Sequence, residues 1–189
     1  MKQIAIFASG AGSNAKEIIQ YLSKTNSRAA VTLVVCNKPD AGILKIAGEH
    51  KIPTLLIDKE KFFRGNNYVD ELKTAGIDFI VLAGFLWKIP DALIKAFHRK
   101  MINIHPALLP KYGGKGMYGR FVHEAVIVNK EKESGITIHY VDDVYDNGQV
   151  ILQATCIVSE NETPDSLAKK VQVLEHRHFP PAVAFLTTL

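Results

Sequence analysis

The chain has 189 residues, 47% hydrophobic and 22% charged, values of a soluble globular protein large enough to bury one real core. A net charge of +4 admits anionic small molecules or nucleic acid as partners, but the basic residues are scattered and form no nucleic-acid arm. No stretch approaches the roughly 18 apolar residues of a membrane span, and the apolar run from Ile4 to Ala8 is too short for a signal peptide. Cys36 and Cys156 belong to no CxxC pair and read as buried thiols of a reducing compartment. The expectation is a cytoplasmic protein without nucleic-acid or membrane partners, with a homodimer admitted.

The apolar run Gln3 to Ala8 reads as a buried strand, broken by Ser9-Gly10-Ala11-Gly12-Ser13-Asn14. A helix over Ala15 to Lys24 follows, with Ile18, Ile19 and Leu22 at helical spacing. Strand, glycine loop and helix together suit a phosphate, cradled by backbone N–H groups at a helix start. A dinucleotide would also want an acidic residue after the next strand, Ala29 to Cys36, where Asn37-Lys38-Pro39 stands instead. With Ser13 and Asn14 in the loop, a terminal monophosphate fits better than NAD.

A helix over Ala41 to Lys51, a strand over Pro53 to Ile57 and a helix over Tyr68 to Ala75 come next, with a polar stretch at Lys59 to Asn67 around Arg64. The strand Phe79 to Ala83 runs into Gly84-Phe85-Leu86-Trp87-Lys88-Ile89, an apolar loop that suits a flat heterocycle or simply lines the core. Asp91 to Arg99 reads as a helix. Strands alternating with helices predict a doubly wound, mostly parallel α/β sheet whose ligands sit at the carboxyl ends of its strands.

The stretch Met101-Ile102-Asn103-Ile104-His105-Pro106 has strand character, and two-residue spacing points Asn103 and His105 to one face. Pro106 keeps His105 extended. An amide donor beside a ring that titrates near neutrality is what acyl-type transfer needs, although an ordinary strand end with a hydrogen-bonded histidine has the same look. Four glycines between Lys111 and Arg120 predict a mobile lid next to His105. A helix over Phe121 to Asn129 precedes strands over Gly135 to Val141 and Val150 to Val158, which form an antiparallel hairpin with Asp142, Asp143 and Asp146 at its tip. The carboxylates lack EF-hand spacing, and His176 and His178, in a helix running from Thr163 to about His178, lack partners at ligand spacing, so no metal is expected.

Asn103-x-His105-Pro106 with Leu108-Leu109-Pro110, then Gly135-x-Thr137-x-His139-x-Val141 and Asp146-x-Gly148-x-x-Ile151, resembles the 10-formyltetrahydrofolate-dependent formyltransferase family. The resemblance runs from the first strand to Glu175 and implies a single domain over 1–189. The Gly10–Asn14 loop and the compact length point to the branch acting on glycinamide ribonucleotide in purine biosynthesis. There is no room for the extra domains of the methionyl-tRNA formyltransferases or the formyltetrahydrofolate deformylases.

The resemblance implies Asn103, His105 and Asp146 as the catalytic trio, with 10-formyltetrahydrofolate as co-substrate and no metal. Asn103 and protonated His105 would stabilise the oxyanion, while Asp146 would favour the imidazolium and help shuttle protons. Gly12, Ser13 and Asn14 match phosphate-binding positions, and Gln172, Val173, Leu174 and Glu175 match a segment that contacts the nucleotide. Arg64, Leu86, Trp87, Lys88, Ile89, Asn103, Asp142, Asp143, Val144, Tyr145 and Asp146 match folate-binding positions. The loop Gly113–Arg120 departs from the family, whose usual loop carries a Pro-Gly and a histidine-rich turn, so contacts made by that loop do not carry over. The competing readings are a deformylase that uses water as acceptor and a non-catalytic nucleotide-binding module.

Overall fold

The apolar runs and the breaks between them set the order of elements in the computed structural model, which describes residues 1–188. They are β1 (Lys2–Ala8), α1 (Ser13–Lys24), β2 (Ala29–Cys36), α2 (Gly42–Glu49), β3 (Thr54–Leu56), α3 (Lys59–Arg64), α4 (Val69–Thr74), β4 (Phe79–Leu82), α5 (Asp91–Ala96), β5 (Met101–His105), α6 (Arg120–Val128), β6 (Glu133–Tyr140), β7 (Val150–Ile157) and α7 (Pro164–Leu186). The strand order is β3-β2-β1-β4-β5-β6-β7. Pairings β1 with β2, β1 with β4 and β2 with β3 are parallel, and β6 with β7 is antiparallel. This is the expected α/β class: a mostly parallel, doubly wound sheet with an antiparallel C-terminal hairpin.

The chain divides into two compact units, one of Met1–Ile102 with the segment from Pro180 on, the other of Asn103–Phe179. In the first, β1 and β4 are buried along almost their whole length, as strands covered on both faces must be. α1 buries Ala15, Ile18, Ile19 and Leu22, one apolar stripe at helical spacing. Strand order reverses at β1 and β4, and Ser9 ties the loops that follow them: its N–H donates to Gly84 O at 3.0 Å, and its Oγ accepts from Leu86 N at 3.0 Å. Crevices at such reversals are where doubly wound sheets take ligands. Cys36 is buried and Cys156 half-buried, both as free thiols.

Three departures have physical causes. The polar stretch around Arg64 folds as α3, because Asp58 caps it (Lys61 N to Oδ1, 3.0 Å) and Phe62 is fully buried beneath it. The helices expected to reach Lys51 and Arg99 stop earlier, since both residues adopt left-handed backbone (φ 56° and 55°). α7 continues beyond His178 to Leu186 through Pro180 and Pro181. Two lost N–H groups weaken it there, while buried Phe179 and Val183 hold it on either side.

In the second unit, β6 is buried from Ser134 to His139, whereas β7 alternates outward, with Ile157 77% exposed as befits the end of the strand order. Gly135 allows the hairpin to close: a Cβ there would lie 2.0 Å from Ala154 O. Gly135→Ala should therefore lower stability by about 1–3 kcal/mol or more and the melting temperature by several degrees. Gly10→Ala, where a Cβ meets nothing within 4 Å, should leave the melting temperature nearly unchanged in the same calorimetric comparison.

Candidate active site

Asn103 and His105 share a face of β5, and the structure brings Asp146 to them from the β6–β7 connection. His105 Nδ1 stands 3.5 Å from Asp146 Oδ2, and both side chains are largely buried. His105 Nε2 lies 2.7 Å from Tyr112 O; a carbonyl only accepts, so Nε2 carries the proton and donates. Nδ1, facing the carboxylate, is thus the nitrogen left to gain or lose a proton. Tyr112 is itself held, because its hydroxyl donates to Glu131 Oε1 at 2.8 Å and Lys111 pairs with the same carboxylate at 2.9 Å. Lys111 first, then Tyr112, holds Glu131 below the usual carboxylate range.

Asp146 reaches this position through a folded connection. Its backbone is left-handed (φ 54°), and Gly148 packs so closely that a Cβ would fall 1.7 Å from Tyr140 O. Gly114 N–H donates to Asp146 Oδ2 at 2.9 Å, and a Cβ on Gly113 would sit 3.2 Å from Asp146 Cβ. The start of the loop expected as a lid is therefore tied to the trio from both ends, by Tyr112 and by Gly114.

A fourth group went unrecognised in the sequence. His139 Nε2 lies 3.2 Å from Asn103 Nδ2 and 3.7 Å from Asp146 Oδ1, while its Nδ1 is 2.9 Å from Tyr140 O. Nδ1 must donate to that carbonyl, so in the uncharged ring Nε2 accepts from the Asn103 amide and fixes its orientation. Burial lowers the His139 ring from its ordinary value; the Tyr140 carbonyl and Asp146 pull it up, and His105 pushes it down again. The sequence did carry a signal: Gly135, Thr137 and His139 alternate onto one face of β6. Thr137 shares the task. Its hydroxyl donates to Ala107 O (2.7 Å) and accepts from Leu109 N (3.0 Å), binding the segment after His105 to the hairpin.

Other expected positions divide by unit. Of Asp142–Asp146, only Asp146 turns inward to the trio. Asp142 folds the connection through Val144 N (3.0 Å) and Asn147 Nδ2 (3.3 Å), and Asp143, Val144 and Tyr145 are exposed. Gln172, Val173, Leu174 and Glu175 form one turn of α7, with Gln172 and Val173 exposed and Leu174 and Glu175 half-buried. In the first unit, Gly12 caps α1 in left-handed backbone (φ 80°), with no side-chain cap and no acidic residue in the first turn. A Cβ there would lie 2.8 Å from Ile43 Cδ1. Ser13 and Asn14 open the helix, half-buried. Asp40, one residue after Pro39, is exposed on a cleft shared with Gly10 and Ala11.

Arg64 is exposed at the end of α3, and an aromatic cluster brings that helix to the Gly84–Ile89 loop. Trp87 lies 5.6 Å from both Phe62 and Phe63, and Phe85 lies 5.8 Å from Phe62 and 5.3 Å from Phe7. Leu86 and Lys88 face solvent, whereas Ile89 is buried as core lining. No group of three or more metal-ligating side chains gathers among the described residues.

Two buried imidazoles make stability sensitive to pH. Burial, then the charge of His105, lowers His123, and burial lowers His139. The unfolded chain protonates both near pH 6.5, the folded chain only at lower pH. Between those values the unfolded state binds more protons, so stability falls as pH falls, by ~1.4 kcal/mol per pH unit for each ring. Urea midpoints measured from about pH 7 to pH 5 should drop, and more shallowly in His123→Leu.

With this geometry established, residues 2–183 match the formyl transferase family. The chloroplastic phosphoribosylglycinamide formyltransferase of Arabidopsis thaliana is 41% identical over 187 residues, covering 96% of this chain and 64% of that protein. The corresponding Vigna unguiculata protein is 41% identical, with 98% and 61% covered. The chain thus spans less than two thirds of these plant relatives. The Bacillus subtilis (strain 168) phosphoribosylglycinamide formyltransferase is 33% identical over 193 residues, covering 100% of this chain and 96% of that one. The crystal structure of the Bacillus Halodurans phosphoribosylglycinamide formyltransferase matches with a TM-score of 0.89 at 35% identity, over 98% and 95% of the two chains. The chain belongs to the formyl transferase family.

Proposed function

We propose that the chain is a phosphoribosylglycinamide formyltransferase, which moves the formyl group of 10-formyltetrahydrofolate to the amine of glycinamide ribonucleotide in purine biosynthesis. The observation that carries this is the buried set in which Asp146 faces His105 Nδ1 while His139 orients Asn103. In this reading the amine attacks the formyl carbon, and the carbonyl pair moves onto oxygen. The Asn103 N–H not committed to His139 and the Nδ1–H of protonated His105 stabilise that oxyanion. As the intermediate collapses, the C–N10 bond breaks and the departing nitrogen takes a proton from His105. The amine sheds its own proton through water toward Asp146. Tyr112, by holding Nε2, keeps Nδ1 on the reacting side.

Gly12, Ser13 and Asn14 take the monophosphate and Gln172–Glu175 the rest of the nucleotide. An uncapped helix start without acidic residues supports the phosphate assignment. Arg64, Leu86–Ile89, Asn103 and Asp142–Asp146 take the folate, with exposed Leu86 and half-buried Trp87 as apolar surface for a flat ring. The reading treats 1–189 as one formyltransferase domain, cytoplasmic, with small-molecule partners and a homodimer admitted. No helix among the described residues is long and apolar enough to cross a membrane.

The deciding assay follows tetrahydrofolate release with and without glycinamide ribonucleotide. Release that depends on the nucleotide is expected; equal release without it would make the chain a deformylase, and none at all would end the proposal. Gly12→Val should raise the Michaelis constant for the nucleotide strongly and leave that for folate alone, because its side chain would drive into Ile43 and the backbone approach. A rise confined to folate would remove the phosphate assignment.

Asp146→Asn keeps the shape but removes the anion facing His105, and should cost about 100-fold or more in turnover with nucleotide binding largely kept. His105→Ala and the double variant should be about equally slow, since members of one proton-handling unit do not add. A double-mutant cycle on turnover checks this, and fully additive losses would separate Asp146 from His105.

A further inference from the structure

Consecutive helical residues stand about 100° apart, so a helix that buries one of two neighbouring rings brings the other to the rim of that contact. In α3, Phe62 is fully buried and Phe63 emerges beside it, 42% exposed. The two rings meet edge to face at 5.2 Å and 81°. Phe63 also leans on Trp87, at 5.6 Å and 45°. Trp87 is fixed in turn by Phe62 at 5.6 Å and Phe85 at 6.2 Å. Part of the Phe63 ring is thus held against the cluster, and the rest is open to solvent. Leu86, next to Trp87 in the chain, is 43% exposed as well. Phe62 alone would anchor α3. Apolar surface left in water with charge at its border is the signature of a binding groove.

The border here is positive. Arg64 follows Phe63 in α3, and Lys88 follows Trp87 in the loop, both exposed. The carboxylates of α4 are engaged elsewhere: Glu71 by Lys61 and Asn66, and Asp70 by Asn66. Neither Arg64 nor Lys88 has a carboxylate partner among the described residues. Aromatic rings with unpaired cations at their edge suit an aromatic acid. Of the two substrates in the transferase reading, glycinamide ribonucleotide has no aromatic ring. 10-Formyltetrahydrofolate carries a benzene ring between N10 and the two carboxylates of its glutamate. Its uncharged pterin calls for no cation, so charge singles out the aminobenzoyl-glutamate end.

We propose that Phe63 is a further folate-binding residue, whose open face carries the aminobenzoyl ring while Arg64 and Lys88 take the glutamate carboxylates. This rests on the transferase reading above. The formyl group on N10 and the benzoyl carbonyl both draw electrons from that ring. An electron-poor ring packs well, offset or edge on, against an electron-rich phenyl. In this placement Phe63 stays clear of the formyl carbon. It acts on folate affinity and not on the chemical step, so it is read in the Michaelis constant.

The test measures both Michaelis constants in the intact enzyme, Phe63→Ala and Phe63→Tyr. Phe63→Ala should raise the constant for 10-formyltetrahydrofolate about 10-fold, with the nucleotide constant and turnover at saturation kept. Phe63→Tyr should stay within threefold of the intact enzyme. Free 4-aminobenzoyl-L-glutamate should compete with folate in the intact enzyme and lose potency to a similar degree in Phe63→Ala. Pterin alone should inhibit both equally. A folate constant within threefold in Phe63→Ala, equal rises of both constants, or a matching loss of pterin inhibition overturns the proposal. So does a Phe63→Tyr as poor as Phe63→Ala. If Phe63→Ala does not fold, enzyme labelled with 4-fluorophenylalanine decides. The ¹⁹F signal of Phe63, identified by its absence from Phe63→Tyr, should move with 4-aminobenzoyl-L-glutamate, and an unmoved signal overturns the assignment. An intact enzyme that transfers nothing to the nucleotide sinks the transferase reading with it. Normal transfer with a folate constant unaffected by Phe63→Ala sinks this inference alone.

Discussion

The Asp146 carboxylate organises most of the second unit's chemistry. One oxygen faces His105 at 3.5 Å and also receives the Gly114 amide at 2.9 Å, and the other faces His139 at 3.7 Å. A carboxylate this enclosed is held only if its neighbours supply donors, so the loop after Leu109 and both imidazoles are arranged around it. That explains why glycine stands at 113 and 148, where side chains would strike Leu109 Cδ2 at 2.5 Å and Tyr140 O at 1.7 Å. It also explains why Asp146 adopts left-handed backbone: the connection must fold back on itself to present the side chain inward.

Much of this was legible in the residues. Period-two alternation put Asn103 and His105 on one face, and glycine punctuation located the strand-to-helix loop at Gly10–Asn14. The same rules extended to Gly135, Thr137 and His139 would have brought His139 into the site. What local pattern could not give was long-range pairing: the His139 bond to Asn103 spans 36 residues, and no spacing rule reaches that far. The Arg64 stretch was misread for a related reason. Its composition is polar, and the aromatic neighbours that bury Phe62 lie elsewhere in the chain.

In the loop from Gly113 to Arg120 the glycines serve two ends. Gly114, Gly116 and Gly119 adopt positive φ (93°, 91° and 53°) with open space around them, whereas Gly113 permits a close approach. Gly113 lets the chain pass Asp146, and Gly114 gives its amide to that carboxylate. Tyr112, itself left-handed at φ 57°, turns its carbonyl onto His105 while its phenol is anchored at Glu131. The backbone of this segment thereby helps to hold His105 and Asp146 in place, a contribution that substitution of side chains alone would not uncover.

The aromatic cluster of the first unit has an optical consequence. The chain has one tryptophan, and Trp87 sits among Phe62, Phe63 and Phe85 beside the loop assigned to folate. All indole emission therefore originates from a single, half-buried environment, free of the averaging that several tryptophans impose. A pterin held against Leu86 and Trp87 absorbs where indole emits, so its arrival would darken the protein's own light. In that reading the molecule carries a built-in gauge of occupancy at that corner.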